Sequence, residues 1–137
     1  MFKNPSDNEI RALLQRVKRI AVVGLSPKAD RPSYGVSQVM QGAGYQIVPV
    51  RPLVAEVLGE KAYPDLASVP GPVDLVNVFR RAEEIDAVVD EAIAIGAPAL
   101  WIQLGIVNEA AALRAQAAGL TVVMDRCIKI DYARLCR

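Results

Sequence analysis

Residues 20–24 have the sequence Ile-Ala-Val-Val-Gly, an apolar run that ends at a glycine. Consecutive apolar residues without polar alternation predict a strand that is buried on both faces. Before this run, Ser6 and Glu9 have the spacing of a capping box, which predicts a helix that continues to about Val17. A helix followed by such a strand is typical of α/β proteins, in which helices cover both faces of a parallel sheet.

The same alternation continues along the rest of the chain. Apolar residues at helical spacing predict three further helices, which end at Gly44, Gly96 and Gly119. Residues 51–71 are rich in proline and glycine and are predicted to be mostly connection, with one short helical turn near residues 54–58. A short terminal helix is expected within residues 125–137. Strands are predicted at residues 20–23, 46–50, 73–79, 99–103 and 120–124.

This pattern predicts an α/β fold, a Rossmann-like three-layer sandwich with a five-stranded parallel sheet. Right-handed crossovers place the helices on both faces of such a sheet. We expect the strand order 3-2-1-4-5, with the strands counted along the chain. Residues 1–137 then form a single domain, and its 53% of hydrophobic residues supply one buried core.

Charge and composition exclude several function classes. The 16 basic and 15 acidic side chains give a net charge of +1, which offers no strong field for nucleic acid or an anionic membrane. The apolar runs are shorter than the roughly 20 residues of a spanning helix. The polar N-terminus contains Pro5 and lacks a signal sequence, so a cytoplasmic location is expected. With no histidine and two distant cysteines, no structural metal site is expected.

Ligands of open parallel sheets bind at the carboxyl ends of the strands, near the point where the strand order reverses. After the first predicted strand, Gly24, Leu25 and Ser26 form a turn, and Ser33 lies at the start of the next helix. Serine hydroxyls and the amides of a helix N-terminus can donate to phosphate oxygens, so this loop suits a diphosphate. The alternative is that Gly24 only turns the chain and Ser33 only caps a helix.

The second predicted strand ends at Pro49, Val50 and Arg51. NAD-binding domains usually carry an acidic residue here, which accepts hydrogen bonds from the ribose hydroxyls. A guanidinium at this position instead favours a ribose that carries a phosphate, as in NADP or coenzyme A. Lys28 and Arg31 are candidates for further donors. The alternative is that all three cations are ordinary solvated charges of the loops.

The third predicted strand is followed by Phe79, Arg80 and Arg81. Both arginines could face the ligand or bind the acidic start of their own helix, at Glu83 and Glu84. We favour the second role for Arg81 and keep Arg80 as a candidate binding residue.

Polar or reactive side chains also occur near the last two strand ends. Gln103 ends the fourth predicted strand, just before Gly105, and a buried amide there needs a partner in the ligand or in a neighbouring loop. Asn77 inside the third strand raises the same question. Cys127 follows the fifth strand and could form a mixed disulfide with a ligand thiol, but an inert, partly buried cysteine is the expectation.

No set of side chains indicates catalysis. General acid–base chemistry near neutral pH most often uses histidine, which this chain lacks, and no Ser-x-x-Lys or Tyr-x-x-x-Lys pair replaces it. The carboxylates of Asp74, Glu109 and Asp125 have simpler roles at a strand start, in the first turn of a helix and in a loop. We therefore expect a binding protein rather than an enzyme.

Over nearly its whole length the chain resembles the small bacterial and archaeal CoA-binding proteins, which are related to the CoA-binding domain of the succinyl-CoA synthetase alpha subunit. The resemblance rests on eight segments: IAVVGLS (20–26), RPSY (31–34), GY (44–45), PVRP (49–52), PVD (72–74), VFR (78–80), WIQLG (101–105) and MDRC (124–127).

The resemblance implies coenzyme A as the ligand and assigns a role to each loop. Residues 24–26 and Ser33 would hold the diphosphate, residues 49–52 the adenosine end, Phe79 and Arg80 the border of the nucleotide, and residues 103–105 the pantetheine side. Two positions depart from the family pattern. Arg51 replaces an asparagine or serine, and Asp131-Tyr132 replaces a Glu-His pair. The catalytic histidine of the synthetase belongs to a region that this chain does not contain.

The leading hypothesis is therefore a single CoA-binding domain that binds coenzyme A or an acyl-CoA at the carboxyl edge of the sheet without catalysis. A small NADP-linked oxidoreductase is one alternative, and a protein-interaction module with a purely structural sheet edge is another. The sequence does not specify the acyl group, the protein partner or the oligomeric state.

Overall fold

The computed structural model describes residues 1–137 and contains a parallel sheet of five strands. Two further short strands form a separate hairpin. In chain order the elements are α1 (Asp7–Arg16), β1 (Arg19–Val23), α2 (Pro32–Gly42), β2 (Gln46–Val50), β3 (Glu56–Val57), β4 (Glu60–Lys61), β5 (Leu75–Val78), α3 (Ile85–Ala94), β6 (Ala99–Gln103), α4 (Glu109–Ala117), β7 (Thr121–Arg126) and α5 (Ile128–Leu135).

Helices cover both faces of the sheet, because its strands are apolar on both sides. On one face, α3 and α4 pack on residues that include Val76 and Leu100. On the other face, α1, α2 and α5 pack on residues that include Val22 and Trp101. The capping box of Ser6 and Glu9 is present at the start of α1. The predicted Rossmann-like three-layer sandwich with five parallel strands is confirmed, and so is the short terminal helix, α5.

The order of the strands along the sheet is β2-β1-β5-β6-β7. Counted over the five main strands, this order is 2-1-3-4-5. The third strand therefore pairs with the first strand, whereas the expected order 3-2-1-4-5 places it beyond the second. The reason lies in the connection after β2. It crosses to the α3 face, where Leu66 joins the core, and a right-handed crossover on that face puts β5 on the opposite side of β1. The strand order therefore reverses between β1 and β5.

The connection between β2 and β5 contains the β3–β4 hairpin and a single 3₁₀ turn at Leu66–Ser68. The helical turn predicted near residues 54–58 is wrong. Leu58 and Gly59 both have positive φ, at 55° and 77°, and form the tight turn of the hairpin. Two successive residues of this conformation match the right-handed twist of a hairpin, which a helical turn does not.

Both edge strands of the sheet are paired with the chain itself near the carboxyl edge of the sheet. Beside β2, the backbone N–H of Arg51 donates to the carbonyl of Tyr63 at 2.8 Å, and the N–H of Tyr63 donates to Pro49 at 3.0 Å. Beside β7, the side chain of Asn4 accepts from the N–H of Met124 at 2.8 Å and donates to its carbonyl at 2.9 Å. None of the helices is both long and apolar enough to cross a membrane.

A candidate ligand-binding cleft at the carboxyl edge

A cleft with a volume of about 1560 Å³ opens at the carboxyl ends of β1, β2, β5 and β6. The first residues of α2 and α5 complete its walls. Its position agrees with the rule that ligands of open α/β sheets bind where the strand order reverses, which is here between β1 and β5.

Ten of the thirteen residues proposed from the sequence line this cleft: Gly24, Ser26, Lys28, Arg31, Ser33, Arg51, Phe79, Arg80, Gln103 and Gly105. Three do not. The side chains of Leu25 and Val50 lie in the hydrophobic core, and Pro49 is buried within β2. Successive side chains of a strand point to opposite faces of the sheet. A prediction that names consecutive residues at a strand end therefore includes some whose side chains point into the core.

Gly24 brings the loop after β1 against the loop after β5. Its φ is +87°, a conformation that side-chain-bearing residues rarely adopt. A Cβ atom at this position would overlap the carbonyl oxygen of Phe79. The glycine therefore does more than turn the chain, because the close contact of the two loops requires that no side chain is present.

Ser26 and Ser33 form a buried polar pair at the floor of the cleft. The backbone N–H of Ser26 donates to Oγ of Ser33 at 3.0 Å, and the N–H of Lys28 donates to Oγ of Ser26 at 3.1 Å. Each hydroxyl oxygen accepts one of these bonds, and neither hydroxyl donates to the chain. Ser33 does not cap α2, whose N-cap residue is Arg31. Both hydroxyl protons are thus available to a ligand acceptor.

Four cations line the cleft without forming an ion pair to any carboxylate: Lys28, Arg31, Arg51 and Lys129. Arg51 is half-buried, and its guanidinium donates a long hydrogen bond of 3.4 Å to the carbonyl of Gly24. The sequence does not indicate Lys129 as a site residue, because the weakly patterned terminal helix gives no sign that its start reaches the cleft. The net charge of +1 thus coexists with a locally positive cleft.

Arg80 lines the cleft, but its charge is already neutralised. Its guanidinium binds the carboxylate of Glu84, and Nε of Arg81 donates to the same carboxylate at 3.1 Å. These two hydrogen bonds hold the pKa of Glu84 below its usual value. The role expected for Arg81, binding the acidic start of its own helix, is confirmed.

The N-termini of α2 and α5 meet the cleft, and neither N-cap residue, Arg31 or Cys127, caps its helix with its own side chain. By contrast, α1 is capped by Ser6 and α4 by Asn108, and neither capping residue lines the cleft. Uncapped N–H groups and the positive end of the helix dipole favour an anion.

The polar side chains near β6 and β7 have different surroundings. Gln103 is 5% exposed, and its Oε1 accepts from the N–H of Ile128 at 3.4 Å, while its amide nitrogen donates to no group of the chain. Asn77 is buried and does not line the cleft, and its Oδ1 has no partner. Cys127 is a free, buried cysteine at the N-cap of α5 and lines the cleft.

The sequence of this chain matches the family described as "CoA binding domain" over residues 18–133. The uncharacterized protein YneT of Bacillus subtilis is 51% identical over 132 residues, which are 96% of this chain and 98% of that protein. A hypothetical protein from Pyrococcus horikoshii has a solved structure with 34% identity and a TM-score of 0.94, and the match covers 100% of this chain and 99% of that chain.

A dinucleotide-forming acetyl-coenzyme A synthetase from Candidatus Korarchaeum cryptofilum has a similar fold. The match has a TM-score of 0.70 at 22% identity and covers 79% of this chain but only 26% of the synthetase.

Proposed function

This chain belongs to the CoA binding domain family, and from that premise we propose that it binds coenzyme A, free or as an acyl thioester, in the cleft at the carboxyl edge and does not catalyse its conversion. The observation that carries the proposal is the buried pair Ser26–Ser33, which lies in a cleft with four unpaired cations. Coenzyme A carries a diphosphate and a 3′-phosphate, and both are anions that such a site can neutralise.

The diphosphate is assigned to the loop between β1 and α2. The hydroxyls of Ser26 and Ser33 have free protons, and the uncapped N-terminus of α2 adds a positive partial charge. Gly24 supports this assignment because it brings the backbone of the loop close to β5. A phosphate bound here accepts hydrogen bonds from groups that the fold has already placed.

The 3′-phosphate is assigned to Arg51, with Lys28 and Arg31, which line the same cleft, as further donors. Arg51 follows β2, where NAD-binding domains place the residue that contacts the ribose. Its single hydrogen bond to the chain is long, so most of the guanidinium donors remain free for a phosphate. The guanidinium geometry allows two parallel hydrogen bonds to phosphate oxygens.

The pantetheine arm is assigned to the path from Phe79 across β5 towards Gln103 and Gly105. Arg80 offers no free charge on this path because it binds Glu84. The amide nitrogen of Gln103 has no partner in the chain and is therefore free to donate to a carbonyl of the pantetheine amides.

The absence of catalysis is part of the proposal. The chain has no histidine, and the carboxylate of Glu83, the acidic residue in the lining, contacts Arg81. Asp125 accepts a hydrogen bond from the N–H of Gly105 at 2.8 Å and so has a structural partner. Incubation of the protein with acetyl-CoA is expected to release no more free coenzyme A, measured by chromatography, than buffer does. Release in proportion to protein concentration would refute this part of the proposal.

Isothermal titration with coenzyme A tests the binding itself, with NADPH as the comparison ligand. Binding of coenzyme A that is tighter than that of NADPH is expected, and absence of heat at high micromolar coenzyme A would overturn the proposal. Ser33→Ala is expected to weaken binding by about 1 kcal/mol, the usual value of one hydrogen bond. Ser37→Ala is the matched control, because Ser37 is a buried serine of the same helix that does not line the cleft.

A further inference from the structure

The two ends of the cleft differ in chemical character. At the end formed by the loops after β1 and β2, Lys28, Arg31 and Arg51 supply positive charge. At the other end, Leu104 and Ile106 follow β6, and Ile130 extends from the first turn of α5. Three strand spacings separate β2 from β6, a distance of about 14 Å. A long ligand with an anionic head would therefore lie with its tail at the second end.

Apolar side chains are concentrated around this cleft. Eight large hydrophobic side chains of the whole chain are exposed, and four of them are among the 27 residues that line it. Val39 and Leu53 lie at the basic end, where they are suited to the flat face of an adenine ring. Leu104 and Ile130 lie at the opposite end and are 57% and 53% exposed. Exposed apolar side chains grouped in a cleft commonly mark a ligand surface.

The charged groups near this end suit an apolar tail better than an anionic tail. Asp125 already accepts from Gly105, and it would repel a carboxylate. Lys129 lines the cleft beside Ile130 and is the cation that could favour an anionic tail. Three apolar side chains thus favour an apolar tail, and one exposed lysine favours an anionic tail. The flexible side chain of this lysine can remain in solvent.

We propose that Leu104, Ile106 and Ile130 hold the acyl chain of a short aliphatic acyl-CoA. The inference rests on the proposed binding of coenzyme A and specifies the class of thioester. An aliphatic chain placed against these residues removes apolar surface of both partners from water. Affinity therefore increases with chain length from acetyl to butyryl to hexanoyl, and a dicarboxylic acyl group such as succinyl binds less tightly than butyryl.

Titration of the full chain with coenzyme A and these four thioesters tests the inference. A fully buried methylene is worth about a fourfold gain in affinity, so a gain of about two- to fourfold per methylene is expected at this open end. Equal affinity for acetyl-CoA, butyryl-CoA and hexanoyl-CoA, or tighter binding of succinyl-CoA than of butyryl-CoA, would overturn it. If no thioester and no free coenzyme A binds, the proposed function fails and this inference fails with it.

Two variants locate the effect. Leu104→Ser and Ile130→Ser are each expected to reduce the ratio of hexanoyl-CoA affinity to coenzyme A affinity, by about twofold or more. The matched control is Val107→Ser, because Val107 is 53% exposed and close in sequence to Leu104 but does not line the cleft. An unchanged ratio in both cleft variants, or an equal reduction in the control, would remove these side chains from the acyl site.

Discussion

The guanidinium of Arg126 donates two hydrogen bonds to the carboxylate of Asp131, at 2.6 and 2.7 Å. Asp131 is 1% exposed, and it also accepts from Arg134 at 3.2 Å. The pair links the end of β7 to the first turn of α5 and so fixes the helix that carries Cys127, Lys129 and Ile130 to the cleft. In this chain an acid–arginine pair thus holds the N-terminus of α5 in place.

Asp131→Ala is expected to reduce the free energy of unfolding by about 1.5–3 kcal/mol, because it leaves the arginine without its charged acceptor. Chemical denaturation measures the loss. Asp7→Ala is the control: Asp7 also binds Arg134 but is exposed, so its removal should cost much less. Equal losses in the two variants would contradict the structural role of the buried carboxylate.

Gly24→Ala is expected to destabilise the fold more than Gly44→Ala. Both glycines have positive φ, at +87° and +106°, but only Gly24 has atoms close to the position of an added Cβ. The conformational cost alone is about 1–2 kcal/mol, which is the loss expected at Gly44. The additional overlap with Phe79 should make the loss at Gly24 clearly larger in urea titrations, and it should weaken coenzyme A binding. Equal losses at both positions would exclude the close contact of the two loops.

Arg51→Gln is expected to weaken coenzyme A binding by about 1.5–3 kcal/mol and to leave the affinity for dephospho-CoA nearly unchanged. The reason is that only coenzyme A presents the 3′-phosphate to this guanidinium. Arg16→Gln removes the same charge from the last turn of α1, at the opposite edge of the sheet, and serves as the control for titration calorimetry. If both ligands lose affinity equally, Arg51 acts by supporting the loop at Gly24 rather than by binding the phosphate.

Tyr45 makes the stability of the fold sensitive to alkaline pH. Burial raises the pKa of its hydroxyl to about 12, and the hydroxyl donates to the carbonyl of Leu14 at 2.5 Å. The pKa of this hydroxyl is higher in the folded state than in the unfolded state. Its contribution to the free energy of unfolding is therefore complete below a pH of about 10 and is lost as the pH rises towards 12. Tyr45→Phe should lower stability at neutral pH but flatten the alkaline decrease, which urea titrations at several pH values would measure. Parallel curves for the two proteins would contradict this assignment.

The strands and helices could be predicted because each carries a local signal. The run at residues 20–23 and the glycines that end the helices depend only on neighbouring residues. The strand order could not be predicted in the same way, since it depends on which face of the sheet the irregular connection after β2 crosses. That choice is made by Leu66 packing against the α3 face, a tertiary contact without a local pattern.

The residues of the candidate site could also be predicted only in part. Ser26, Ser33 and Arg51 follow from the rule for strand ends, which requires only the strand boundaries. The exclusion of Leu25 and the inclusion of Lys129 depend on the direction of a side chain and on the placement of α5, and neither can be derived from spacing. The sequence does not decide which acidic residue neutralises Arg80, because two acidic residues and two arginines lie close together in it.

The pairing at the two edges of the sheet has a consequence for how the molecules behave when concentrated. An edge strand with free N–H and C=O groups can accept a strand from another molecule and so begin aggregation. Here Tyr63 occupies one such position beside β2, and the amide of Asn4 imitates a neighbouring strand beside β7. Asn4, which belongs to no helix or strand, therefore protects this part of the β7 edge against self-association.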